Sequence, residues 1–150
     1  MNRYLTLAIF LIVVLGGGIA IGISFPPGAW YAALNKPPFN PPNWIFAPAW
    51  TVLYILIAIA GWRTWLHDRS GAAMKVLFAQ MTLNFAWSPL FFGAHQMKLA
   101  LIVITALAIA IAAFIALTRR EDRVTAWLFA PYLLWVSFAT LLNASLIALN

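Results

Sequence analysis

Five apolar runs leave this chain only one solvent in which to fold. Residues 5–25, 44–66, 72–93, 99–118 and 124–149 are each close to or longer than the about 20 residues that cross a hydrocarbon core of about 30 Å. Hydrophobic residues make up 65% of the chain and charged ones 8%, against about 25% charge in a soluble domain. No soluble fold of this length hides that much apolar surface. The sequence therefore predicts an all-α integral membrane protein, a single domain over residues 1–150 built as a bundle of five transmembrane helices. The first run lacks a small-x-small cleavage pattern and exceeds a signal-peptide core in length, so it is expected to stay as a helix.

The charges set an orientation. Arg3, Arg63, Arg69, Lys75, Arg119, Arg120 and Arg123 flank the spans on the N-terminal side, and only Lys36 and Lys98 lie on the other. Cations accumulate on the cytoplasmic side of a membrane. The N-terminus is thus expected in the cytoplasm and the C-terminus in the periplasm, in a bacterial inner membrane or an outer-membrane-derived location. No basic patch is interleaved with exposed aromatics, so no nucleic-acid partner is expected.

Several chemistries are excluded. The chain has no cysteine, which removes disulfides and thiolate sites. Asp68, Glu121 and Asp122 all fall in cytoplasmic loops, so no carboxylate serves ion coupling inside the membrane. His67 and His95 belong to opposite ends and cannot share a metal. No nucleophile, base and acid come together. Neither a metal site, a cofactor nor an assured catalytic residue is expected.

Between the first two runs lies "NKPPFNPPNW", with prolines at 37, 38, 41 and 42. This is a stiff external loop joining helices 1 and 2. Asn43 is placed to cap the second helix and Pro48 falls near its first turn, where a missing N–H costs little. Pro89 and Pro131 sit inside spans and are expected to kink them. Gly16, Gly17, Gly18 and Gly22 give the first helix a small face for close approach.

Aromatics carry what remains: eight Trp, eleven Phe and four Tyr. Three helical stripes mix rings with amides or small residues. They are Trp50, Tyr54, Ile57 and Gly61; Gln80, Asn84, Trp87 and Phe91; and Tyr132, Trp135, Ala139 and Asn143. Such stripes serve either as bundle core with interhelical amides or as walls of a small-molecule cavity. Three in one bundle favour the cavity, with a flat, hydrophobic, weakly polar ligand.

The stretches "WYAALNKPPFNPPNWIF" (30–46), "PAWTVLY" (48–54), "LNFAWSPLFFGAHQM" (83–97) and "PYLLWVSFATLLN" (131–143) resemble the TspO/MBR family of tryptophan-rich sensory proteins, which includes the mitochondrial translocator protein. The resemblance runs from about residue 19 to 143. It implies five transmembrane helices, frequent homodimers, contact with membrane lipid, and binding of porphyrins, sterol-type lipids and isoquinoline or benzodiazepine drugs. It implies a pocket at Trp50, Tyr54, Asn84, Trp87, Trp135, Ala139, Leu142 and Asn143, under a lid that includes Lys36, Pro41, Pro42 and Trp44. Trp50 and Trp135 match tryptophans connected in some bacterial members with light-dependent porphyrin breakdown. Three roles stay open on the sequence: a receptor or sensor regulating tetrapyrrole metabolism, a tetrapyrrole or lipid translocator, and a light-dependent porphyrin-degrading enzyme. The sequence shows no Tyr-and-Arg sterol-recognition segment after Asn143, and has Leu99 where the mitochondrial proteins have Trp, so cholesterol transport is not expected.

The charge count yields a direct test of orientation. Cysteine introduced at Asn40 should react with an impermeant reagent from the periplasmic side, and cysteine at Ser70 should not. The reverse pattern overturns the assignment.

Overall fold

The computed structural model describes residues 2–150, and among them the only regular structure is helical. Six α-helices follow in order: α1 (Arg3–Ser24), α2 (Ala29–Ala32), α3 (Phe46–Asp68), α4 (Ala72–Ser88), α5 (Met97–Thr118) and α6 (Arg123–Leu149). α1 packs along α3, α3 along α6, α6 along α5 and α5 along α4, with α4 returning lightly to α1. Four of the helices are long and apolar enough to cross a membrane: α1, α3 with its leading turn, α5 and α6.

The run expected as one helix over 72–93 divides. It is α-helical only to Ser88 and continues as a π-helix over Pro89–Gly93. The cause is Pro89, which has no N–H to donate back along the helix. The wider turn closes instead through Ala94 N–H to the Pro89 carbonyl at 2.8 Å, followed by Gln96 N–H to Leu90 O at 2.9 Å. His95, with φ of 58°, reverses the chain there. A left-handed residue with a side chain costs about 1–2 kcal/mol. Its imidazole lies flat on the Trp30 indole, centroids 4.2 Å apart, which offsets part of that cost.

Pro131 behaves differently. α6 runs through it unbroken from Arg123 to Leu149. The expected cap at Asn43 does not form either: Asn43 opens a 3₁₀ turn (Asn43–Ile45), and α3 follows without a side-chain cap. The short α2 was not expected from the sequence. It forms because Tyr31 has an apolar seat against Phe91 and Phe92 while Lys36 Nζ donates to the carbonyls of Ala32 and Leu34, both at 3.2 Å.

Polar clasps hold the two ends of the bundle, the inner end being the one that carries Arg63 and the outer end the one that carries Asn35. At the inner end, Arg63 Nη2 and Nε donate to Asp122 at 2.9 and 3.0 Å, and His67 Nε2 meets Glu121 at 3.0 Å. Asp122 also caps α6, accepting from Thr125 N–H and from its hydroxyl. At the outer end, Asn35 N–H donates to Asn150 Oδ1 at 3.0 Å, and Asn150 Nδ2 donates to Asn35 O at 2.9 Å.

The Arg63 hydrogen bond, helped by those from Thr125 and opposed by partial burial, lowers the Asp122 carboxyl from 3.8 to about 2. A carboxylate depressed by folding stabilises the fold above its unfolded value and loses that contribution as pH falls through the folded one. The gap in thermal stability between wild type and Asp122→Asn should therefore be full at pH 6 and close between about pH 4 and pH 2. Asp122→Ala should lose about 1 kcal/mol more through the missing cap. A gap that stays constant down to pH 2, in unfolding scans of the detergent-solubilised protein, would falsify the ion-pair assignment.

Candidate functional site

The inner and outer halves of the bundle are packed differently. In the inner half, Ile57, Ile111, Phe114 and Phe129 are all fully buried and Leu77 is 3% exposed, with the Phe114 and Phe129 rings 4.2 Å apart. In the outer half, tryptophans face glycines and alanines, and the space between them is a cavity of about 430 Å³. That volume falls within the range of small-molecule sites, about 300–1,000 Å³.

Five helices and the linkers at the outer end build its wall. Trp50 and Tyr54 come from α3, Asn84 and Trp87 from α4, and Trp135, Ala139, Leu142 and Asn143 from α6. All eight residues marked in the sequence as the ligand pocket line this one cavity. α5 adds Ile104 and Leu107. The fourth side is α1, through Gly18, Ile21 and Gly22. A Cβ at Gly18 would run into the Tyr54 ring, so only glycine lets α1 lie this close.

The residues expected in the lid belong to the loop at this end of the bundle. Lys36, Pro41, Pro42 and Trp44 do not line the cavity, and the loop reaches it through Tyr31, Asn43 and Phe46, with Phe25 and Pro27 before them. Lys36 is committed to the carbonyls at the end of α2 and lies 4.8 Å from the Tyr31 ring centroid. Trp44 is 73% exposed. The sequence signal that could have found the true rim is Phe25 ahead of Pro26 and Pro27, an aromatic placed where the first helix must stop.

The amides are largely spent within the protein. Tyr54 Oη donates to Asn84 Oδ1 at 3.2 Å, Asn84 Nδ2 donates to Tyr132 Oη at 2.6 Å, and Tyr132 Oη donates to Gln80 Oε1 at 2.8 Å. This row links α3, α4 and α6, and its Tyr54 and Asn84 form the cavity floor. A second pair sets one wall: Trp87 Nε1 donates to Asn143 Oδ1 at 3.1 Å, and Asn143 Nδ2 to Met97 O at 3.0 Å. The Trp87 ring is thereby fixed and stacks on Phe91 at 4.9 Å. Trp50 stacks on Tyr54 at 5.5 Å, while Trp135 meets Phe46 edge-on at 5.9 Å. Among the described residues, one buried side-chain polar atom has no partner, the Trp135 Nε1–H.

The arrangement can hold a flat apolar molecule between indoles, with few polar side chains beside it. It assembles no acid, base or nucleophile, and among the described residues no group of His, Asp and Glu is placed to hold a metal.

Comparison with known proteins follows the same lines. The sequence profile of the TspO/MBR family matches residues 7–149. The chain is 37% identical over 150 residues to the tryptophan-rich sensory protein of Cereibacter sphaeroides, covering 100% of this chain and 95% of that one. It is 41% identical over 123 residues to the tryptophan-rich protein TspO of Archaeoglobus fulgidus, covering 81% and 80%. To the translocator protein of Homo sapiens it is 34% identical over 134 residues, covering 84% and 79%.

The floor gives the test of the site. Tyr132→Phe keeps the ring but leaves Asn84 Nδ2 and Gln80 Oε1 unpaired. The expected loss is about 1–2 kcal/mol, within the range for stranding buried polar groups. A thermal shift in detergent reads it, and an unchanged midpoint would mean the row contributes nothing.

Proposed function

The chain belongs to the TspO/MBR family, and from that membership we propose that it is a membrane receptor for porphyrins and similar flat hydrophobic ligands. It is an integral, multi-pass membrane protein whose relatives are sensory and translocator proteins. In the proposed reading the bundle crosses the membrane five times, with α4 and its π-helical extension as the third crossing. The N-terminus is cytoplasmic, the proline-rich loop covers the outer mouth, and ligand occupancy reports on tetrapyrrole metabolism. Isoquinoline and benzodiazepine drugs compete for the same space.

One observation carries this reading: an apolar cavity in the outer half, walled by Trp50, Trp87 and Trp135. Ring faces attract a flat conjugated ligand, each contact adding about 0.5–1.5 kcal/mol beyond area burial. The five tightly packed residues of the inner half favour a receptor over a translocator, because a through-path requires Phe114 and Phe129 to part.

Quenching of tryptophan fluorescence by a porphyrin panel tests the proposal. Protoporphyrin should saturate at about one per chain. Trp135→Phe keeps an aromatic wall and removes only the donor, so affinity should fall by less than about tenfold, about 1.4 kcal/mol. Quenching that never saturates, or is matched by empty micelles, overturns the receptor reading. Light-driven loss of porphyrin that depends on Trp50 and Trp135 would instead move the protein to the degrading class.

A further inference from the structure

We propose that the inner end of the α1–α3 seam binds the headgroup of an anionic phospholipid. The chain's three carboxylates are already engaged. Asp122 holds Arg63, Glu121 meets His67, and Asp68 accepts from Ser70 N–H and Oγ. Arg3 and Arg69 form no ion pair among the described residues.

Both lie instead against aromatic rings on one face. The Arg3 guanidinium is 5.7 Å from the Trp62 ring centroid and 5.8 Å from that of Tyr4. The Arg69 guanidinium is 5.9 Å from the Trp65 centroid. Trp62 and Trp65 stand three apart on α3 and so share a face. Trp62 Nε1 donates to Arg3 O at 2.8 Å, and Phe10 of α1 packs edge-on against Trp65 at 6.2 Å. The two helices are thus joined beneath the two cations. Ring contact keeps each guanidinium at the level of the membrane interface, where indoles and phenols reside.

A phosphodiester is the anion available at that depth, and guanidinium forks match its oxygens two at a time. Beside and below the arginines the α3 side of the seam turns apolar and stays exposed, at Leu66 (45%) and Ile55 (36%), four and seven residues from Trp62 on the same face. Acyl chains have a track to follow. Of the other inner cations, Arg63 is paired with Asp122, Lys75 stands at the start of α4, and Arg119, Arg120 and Arg123 sit on the α5–α6 side of the bundle. No aromatic ring lies beneath any of them among the described residues.

The test is titration of the detergent-solubilised protein with phosphatidylglycerol or phosphatidylcholine of the same chain length, read by native mass spectrometry. Phosphatidylglycerol should bind selectively. The pair Arg3→Gln with Arg69→Gln should weaken it by about tenfold or more, since each interfacial cation contributes on its own. Arg119→Gln with Arg120→Gln removes the same charge and should change binding by less than about threefold. The pair Arg3→Lys with Arg69→Lys, which keeps charge but not the fork, should fall between. Equal losses for the two Gln pairs would reduce the site to diffuse charge and overturn the proposal. So would equal binding of phosphatidylcholine, or displacement of the lipid by millimolar inorganic phosphate.

Discussion

The row from Tyr54 through Asn84 and Tyr132 to Gln80 is the constraint on which the rest of the bundle depends. Hydrocarbon supplies no partner for a polar group, so an amide inside such a bundle must find one on another helix. Three helices are tied at one depth as a result. Above that depth the sequence changes from close packing to rings facing glycine and alanine. The row is therefore both a structural tie and the boundary at which the cavity begins. Its neighbours follow from it: Asn84 cannot turn toward a ligand without releasing Tyr132, and Tyr132 is fully buried.

Backbone exceptions gather at the outer end, where they shape the mouth. Pro89 converts the end of α4 to a π-helix, which turns Phe91 inward to meet Trp87 and Tyr31. His95 in its left-handed conformation then stacks on Trp30 and so holds α2. α2 in turn carries Tyr31, which lines the cavity. Burial raises the Tyr31 phenol above its ordinary value despite its Asn40 partner, so it remains a neutral donor. A proline in one helix thus reaches the cavity rim through two stacked rings.

Much of this was legible in the sequence, and the reason is periodicity. Residues that recur along one helical face share a neighbour, so the stripes of Trp50 and Tyr54, of Gln80 and Asn84, and of Tyr132 and Trp135 had to converge once the runs were bundled. Apart from the end of α4, the run boundaries fell within two residues of the observed helices. Three things were not legible. Periodicity does not distinguish an α from a π turn, so the change at Pro89 was hidden inside one apolar run. The role of Lys36 depended on α2, four residues whose stability comes from the seat of Tyr31 and not from helix propensity. And an amide's partner is a three-dimensional fact, so Asn84 and Asn143, marked as ligand contacts, could not be recognised as already bonded to Tyr132 and Met97.

That last point changes how the cavity selects. If its amides were free, a ligand with several polar groups would be favoured. Because Asn84 and Asn143 are spent, the cavity offers mainly ring faces with little directional preference. Gly18 and Ala139 keep the opposing walls back, while the inner half shows that the same sequence can fill its volume with Phe114 and Phe129. The open volume is therefore selective by shape: a flat occupant fills the space between the rings, and water, which finds few polar partners there, does not.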